Sequence, residues 1–581
     1  MTTHASDLPR FDRVFDGAEH RLARIGSGSP GGKAAGLHRV ESDILARLDA
    51  DACPGFEVAI PRAVVLTTEV FDTFIERNRL ADLATSEASD EQIAHAVQRA
   101  DLPAEFVGDL RALIADVRRP LAVRSSSLLE DALDHPFAGV YGTKMIPNND
   151  IESDARFRRL DEAIKFVLAT TFFAGSRDYL RSVGGQAGDE KMAVLIQEVV
   201  GQRADDRFYP CVSGVARSHN FYPTGHAKPT DGVVTLALGL GKTIVDGGLS
   251  WSYAPPYPKA PPPFNDIGDL MKNTQTSFWA IHMGEPPPHD PVRETEYLVL
   301  RPLSDAESDG ALRYLVSTYD PGSDRLNPGL DVHGPKVLNF APLLGSRFVR
   351  FNELVERLLE LSSAALGSAV EIEFALNLHR DDLIPAQLGF LQVRPMLVSG
   401  GDVEVAPDDL FSDRAVVASE HALGNGRLTE LTDIVFIPPE AFDPGATHEA
   451  AGELERINRR LGDDGRGYVL VGFGRWGTSD ARLGIPVAWG QISNARVIIE
   501  ATLPEVNPEL SQGSHFFHNL LANQVLYLSV LHDGPHTIDW QWIRDQPEVA
   551  RERLVRHVRP AEPLEIRVDG AEGRGVVLRH A

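Results

Sequence analysis

At 581 residues the chain has room for about four domains of roughly 150 residues each, and its 43% hydrophobic and 24% charged residues are the proportions of a soluble globular protein. No apolar run approaches the ~20 residues a membrane span requires, and the opening Met1-Thr2-Thr3-His4-Ala5-Ser6-Asp7 lacks the basic-then-apolar order of a secretory signal, so a cytoplasmic location is expected. A net charge of -26 works against sequence-independent binding to nucleic acid or anionic membrane, and Cys53 and Cys211 alone support neither a disulfide framework nor a cysteine zinc site.

In chain order, residues 20–75 read as a turn, a helix from Ala34 to Leu48, strands at Phe56–Ile60 and Ala63–Thr67, and a helix over Glu69–Arg77. Such alternation of short strands and helices specifies an α/β fold. Between Asp154 and Ser182, the positions Ala163, Phe166, Val167 and Thr170 are spaced as one buried face of a long helix, which Gly184-Gly185 stops. Met192–Ile196 and Val233–Leu238 are near-continuous apolar runs, the pattern of strands covered on both faces, and are expected as central strands of one sheet. Prolines crowd residues 255–263 and recur at Pro286-Pro287-Pro288, marking 254–291 as an extended surface insertion. A boundary is expected at Ser399-Gly400-Gly401-Asp402. Beyond it, strands at Ala415–Ala418, Asp433–Ile437 and Gly467–Val471, with a helix over Glu449–Leu461, make 401–581 a separate α/β domain.

Two distant segments carry the most chemistry. Gly31-Gly32-Lys33 opens the first helix; glycines let successive backbone N–H groups face an anion, and a lysine just inside a helix N-terminus adds a full charge, which suits a polyphosphate. An ordinary helix-opening loop would look the same. Glu371 and Glu373 alternate on one face of a strand, and Gln392 follows in Leu391-Gln392-Val393-Arg394-Pro395; these hard oxygen donors suit a divalent cation, a solvated strand face being the alternative. Between the two segments, Arg124 ends an apolar strand, where its planar guanidinium can clamp phosphate oxygens or pair with Glu130 or Asp131. Gly241-Lys242-Thr243 is not a P-loop, because Leu236 stands where that motif requires glycine.

The motifs Gly31–Leu37, Ile60-Pro61, Val123-Arg124-Ser125-Ser126, Phe137-Ala138-Gly139-Val140-Tyr141, Gln197-Glu198-Val199-Val200 and Ser213-Gly214-Val215-Ala216 follow one another in a telling order. With Gly239-Leu240-Gly241 and the acidic and glutamine motifs, they resemble the nucleotide-binding half of the phosphoenolpyruvate synthase and pyruvate phosphate dikinase family, a fold of the ATP-grasp type, over residues 20–400. The resemblance implies ATP and Mg2+ as cofactors. It places Gly31, Gly32, Lys33, Arg124 and Arg394 at the phosphates and Gly139 in a phosphate-covering loop. Gln197, Glu198 and Val200 fall at the hinge whose main chain meets adenine, and Glu371, Glu373 and Gln392 at a magnesium ion bridging the β- and γ-phosphates. Glutamate at 371 replaces the usual aspartate, the hairpin over 376–382 is longer than the family's, and Lys242 stands where glutamate is usual.

Full family enzymes carry phosphate on a histidine of a swivelling domain and transfer it at a barrel domain, for which residues after 400 leave no room. The C-terminal part only faintly resembles the swivelling domain, and the stretch where the histidine is expected, Gly474-Arg475-Trp476-Gly477-Thr478-Ser479-Asp480, has none. His515 and His518, on neighbouring positions of one helix face, are the substitutes: they accept phosphate or contact the acceptor, bind a metal, or pack beside Phe516 and Phe517. The expectation is an ATP- and Mg2+-dependent phosphotransferase with an unknown acceptor, a small molecule or a partner protein. The alternative is a non-catalytic ATP-binding regulatory or assembly protein.

Overall fold

The computed structural model describes residues 8–13, 20–49, 54–127, 130, 140–182, 190–221, 223, 226–260, 267–272, 274–346, 350–379, 384–396, 398, 403–478, 482–504, 506, 520, 525–570 and 572–580. They form two compact units. One comprises Met1–Ser218, Asp231–Ile244 and Leu249–Met396; the other comprises His219–Thr230, Val245–Gly248 and Leu397–Ala581. Among the described residues no helix is long and apolar enough to cross a membrane.

The first unit is mixed α/β, built on two principal sheets. The five-stranded sheet runs in the order Leu22–Ile25, Ala63–Leu66, Met192–Glu198, Leu121–Ser127, Thr143–Ile146, its first pair parallel and the others antiparallel. The six-stranded sheet runs Trp251–Tyr253, Val233–Ala237, Val212–Arg217, Val370–Asn377, Ala386–Pro395, Phe56–Ala59, and only its last pair is parallel. The two apolar runs expected in one sheet therefore lie in different sheets. Continuous hydrophobicity reports that both faces of a strand are covered, which holds for each, but it carries no information about which neighbour supplies the hydrogen bonds. Within 254–291, Ser277–His282 is an inner strand of a further four-stranded sheet, and Phe278 is fully buried against the Tyr209 ring with centroids 4.6 Å apart. The prolines flank that strand without interrupting its ladder.

One face of the six-stranded sheet is covered by the helix Phe351–Leu366. Its apolar residues Phe351, Leu354, Val355, Leu358 and Leu361 fall at helical spacing and pack with Ile372, Phe374 and Leu376 of the neighbouring strand in one core. Gly367, at φ 69°, ends the helix in the left-handed conformation. Each such fully buried side chain stabilises the unit by about 1.5–3 kcal/mol, and Leu358→Ala would cost about 2–5 kcal/mol. With the even positions of Val370–Asn377 committed to this core, the odd ones are left for the opposite face.

The first helix begins at Gly31, three residues before the sequence pattern indicates, and passes at Val40 into a π turn and then a 3-10 turn ending at Arg47. The Asp154–Ser182 pattern resolves into two helices, Ser153–Thr170 and Ala174–Ser182.

The second unit holds a seven-stranded sheet in the order His421–Leu423, Leu526–Val530, Ala495–Ala501, Tyr468–Phe473, Ile434–Phe436, Arg556–Val558, Glu548–Arg551. Its central pairs are parallel, with the helix Thr447–Asp463 crossing between Ile434–Phe436 and Tyr468–Phe473. A four-stranded antiparallel sheet, Ala415–Ser419, Arg574–Leu578, Glu565–Asp569, Asn425–Leu428, completes it.

Candidate functional site

The Gly31 turn is set against the end of the strand Leu121–Ser127. At φ 75°, a β-carbon on Gly31 would lie 1.5 Å from the Ser126 carbonyl oxygen, so only glycine fits. Ser126 Oγ donates to Pro30 O at 2.9 Å and accepts from Ala34 N at 3.1 Å, stitching the helix start to the strand. This docking brings Lys33 beside Ser125: Lys33 Nζ donates to Ser125 Oγ at 3.3 Å and forms a buried ion pair with Glu130, which also accepts from Ser125 Oγ at 2.8 Å. Glu130 thus engages Lys33, leaving Arg124 to other partners.

Arg124 reaches the other principal sheet. Its Nη2 donates to Gln392 Oε1 at 2.8 Å and to Glu373 Oε2 at 3.3 Å, while Nη1 lies 3.4 Å from Leu391 O and 3.5 Å from Gln197 Oε1. Glu373 and Gln392 face each other across the Val370–Asn377 and Ala386–Pro395 pair. The structure therefore gathers Arg124, Gln197, Glu373 and Gln392 around one guanidinium, with Lys33 one strand residue away at Ser125. Gln197 Nε2 is buried and has no partner among the described residues.

Glu371 is fully buried and stands in a row of three across adjacent strands, with Arg217 opposite it on one side and Arg394 on the other. Arg394 donates to its Oε1 from Nε at 3.0 Å and Nη2 at 2.5 Å, and Arg217 Nε donates to its Oε2 at 2.6 Å. Sequence reasoning missed Arg217. The signal available was a charged residue closing the otherwise uncharged, fully buried strand Val212–Arg217. Within these pairs, Lys33, Arg124, Arg217 and Arg394 face Glu130, Glu371 and Glu373.

Along Gln197–Val200, Glu198 and Val200 take different partners. The Glu198 side chain accepts from Arg62 Nε at 3.0 Å and Nη2 at 2.5 Å, and its backbone N–H is already bonded to Arg62 O at 2.9 Å. Val200 packs on Gly389, where a β-carbon would lie 2.4 Å from Val200 Cγ2. A cleft bounded by Pro61, Arg62, Glu198, Val200, Asn377 and Gly389 opens here, and alternation along Val370–Asn377 puts Asn377 on the face that carries Glu371 and Glu373. Gly139, His515 and His518 lie outside the described residues.

In the second unit, a cluster that no sequence pattern announced centres on buried Asp433, which accepts from His557 Nε2 at 2.7 Å, Arg559 Nε at 2.8 Å and Arg466 Nε at 2.8 Å. Burial pushes this carboxyl up, but the hydrogen bonds from His557, Arg559 and Arg466 outweigh burial and hold it well below the usual carboxylate range.

Magnesium can be tested against the donor set. Glu373 and Gln392 are adjacent hard oxygen donors on one face and fit such a cation. Glu371 is placed differently, since both its oxygens already serve guanidinium groups. Among the described residues no group of three or more His, Cys, Asp or Glu side chains is placed to hold a metal ion by itself, so a cation here would draw further ligands from the nucleotide.

The family described as pyruvate phosphate dikinase, AMP/ATP-binding domain, matches residues 28–414. The uncharacterized phosphotransferase YvkC of Bacillus subtilis (strain 168) is 25% identical over 191 residues, which are 33% of this chain and 20% of that protein. The chain thus spans about a fifth of the length of that curated relative.

Proposed function

The chain belongs to the pyruvate phosphate dikinase AMP/ATP-binding family, and from that premise we propose that it is an ATP- and Mg2+-dependent phosphotransferase acting on an acceptor outside the nucleotide site. The observation that carries the reading is the meeting of Arg124 with Gln392 and Glu373, residues more than 240 positions apart, on one polar face beside the Lys33 helix start. A guanidinium, an amine at a helix N-terminus and paired oxygen donors are the groups a tethered triphosphate requires.

In this reading Lys33, Arg124 and Arg394 hold phosphate oxygens, the backbone of Gly31 and Gly32 supports them, and Gln197 and Val200 meet the base at the hinge. Glu198 shapes the hinge through Arg62 rather than through its own N–H, which is taken. Glu373 and Gln392 would hold magnesium, which when bound neutralises charge developing on the β- and γ-oxygens. Arg124 has a double duty. Without nucleotide it satisfies Glu373 and Gln392; with phosphate bound its donors would turn to phosphate oxygens, freeing the Glu373 and Gln392 oxygens that would hold the cation. We assign these roles to a region of 20–400 and read 401–581 as a degenerate swivelling domain.

A second reading, a nucleotide-binding protein that has lost transfer, is favoured by one observation: residues 474–480 contain no histidine. Calorimetry of the full chain with ATP and Mg2+, followed by chromatography of the nucleotide products, tests both. Mg2+-dependent binding with release of AMP or ADP supports the phosphotransferase; binding without turnover supports the second reading; no binding by folded protein refutes both.

A further inference from the structure

The row Arg217–Glu371–Arg394 is a buried polar device within the six-stranded sheet. All three side chains are more than nine-tenths buried, and they sit side by side on three neighbouring strands. Arg394 approaches one carboxylate oxygen through two N–H groups, and Arg217 approaches the other through one. A carboxylate offers about four acceptor positions. Three are filled here by charge-assisted bonds, the short, strong class.

A divalent cation on Glu371 would have to compete with these donors for the carboxylate. Drawing the carboxylate away from them would set a like charge against two buried guanidinium groups, and an arginine cannot relieve that by losing its proton. Glu373, two residues along the same face, pairs with Arg124 at the longer distance of 3.3 Å and retains 15% side-chain exposure. The two carboxylates are therefore not equivalent. One is locked inside, and the other is placed to exchange partners.

We propose that Glu371 is the anchor of a two-arginine clamp rather than a magnesium ligand, and that Arg217, acting through Glu371, is a positioning residue for Arg394 at the nucleotide phosphates. This rests on the nucleotide-binding reading above and deepens it. A carboxylate held from both sides keeps its orientation fixed, so the guanidinium of Arg394 is pinned along the strand before ligand arrives and loses little freedom on binding. The second arginine also offsets the charge of Glu371, so Arg394 still presents net positive charge to phosphate.

The test uses the full chain, Mn2+ as a spectroscopic probe of the metal and a non-hydrolysable ATP analogue. Electron paramagnetic resonance titration reads Mn2+ affinity in the ternary complex, and calorimetry reads nucleotide affinity. Arg217→Met is expected to weaken nucleotide binding about tenfold, with Mn2+ affinity in the ternary complex unchanged; Arg217→Lys should recover part of the loss. Glu371→Gln should behave as Arg217→Met does, whereas Glu373→Gln should weaken Mn2+ binding itself. Should Glu371→Gln fail to fold, the two Arg217 variants decide the matter alone, because one removes and the other keeps the buried charge while Glu371 still holds Arg394. Loss of Mn2+ in Glu371→Gln equal to that in Glu373→Gln would overturn the proposal, as would nucleotide affinity in Arg217→Met equal to the parent's. A folded parent that binds no nucleotide refutes the functional reading and this inference with it; a parent that binds, with variants that fail the pattern, refutes the inference alone.

Discussion

Gly389→Ala is a small change with a large expected effect. Gly389 sits in the strand Ala386–Pro395 between Ala375 on one neighbour and Ala59 on the other, under the hinge residue Val200. An added β-carbon would lie 2.4 Å from Val200 Cγ2 and 3.4 Å from Pro61 Cγ. Carbon atoms pack best at about 3.5–4.0 Å, so the methyl group intrudes by more than 1 Å, and the β-branched valine has few χ1 positions to which it can retreat. Overpacking of this kind costs about 1–3 kcal/mol. The nearest atom after Cγ2 and Pro61 is Val200 Cβ at 3.5 Å, an ordinary contact, so Val200→Ala should make room for the new methyl group. Equilibrium urea unfolding of the parent, both single variants and the double variant measures the coupling directly. The double variant should regain most of what Gly389→Ala loses, and if Val200 meets the base as proposed, nucleotide affinity should follow the same pattern. Additive losses would show that the hinge does not rest on Gly389 and would refute the reasoning.

Arg124→Ala should weaken nucleotide binding or turnover by about 1.5–3 kcal/mol, the worth of a charge-assisted contact, with Arg124→Lys recovering only part because an ammonium cannot clamp phosphate oxygens in the two-pronged way a planar guanidinium does; calorimetry equal to the parent's for both would make the residue structural. Asp433→Asn should destabilise the second unit by about 3 kcal/mol at pH 7, since it leaves His557, Arg466 and Arg559 without their carboxylate. Its folded carboxyl titrates below the unfolded one, so the stabilisation is full above the unfolded value of about 3.9 and is lost as pH falls toward the depressed folded value. The parent-minus-variant gap in urea midpoint should therefore hold down to about pH 4 and narrow below it; a gap unchanged into strong acid would contradict the assignment. For His515 and His518 we hypothesise phosphate acceptance or contact with the acceptor, because residues 474–480 lack a histidine and a neutral imidazole is nucleophilic near pH 7. Incubation with β- and γ-labelled ATP should leave acid-labile label on the peptide 511–523 in the first case. Absence of label, together with full turnover by the double His→Ala variant, would remove both residues from the chemistry.

Much of the first unit's site was legible in one dimension. The two-residue period of Glu371 and Glu373 places both on one face whatever the strand pairs with, and Gly31 next to a helix-forming run marks a turn that needs a positive φ. Apolar runs at Met192–Ile196 and Val233–Leu238 correctly announced buried strands. They could not announce their sheets, since strand pairing is a contact between segments far apart in the chain, and hydrophobicity is blind to it. The same limit explains Glu371. Its alternation with Glu373 makes the two acids look like a matched pair of ligands, and only the strand that carries Arg217, 154 residues away, turns one of them into an anchor. Asp433 gathers His557, Arg466 and Arg559 in the same way, from positions whose sequence neighbours give no hint of one another. Local pattern determines which face of an element is buried and which is polar, because it reflects the geometry of one backbone segment. The choice of partner for a buried charge is decided at hydrogen-bond distance, where one carboxylate can be satisfied by only a few donors, and the tertiary fold alone determines which donors come within reach.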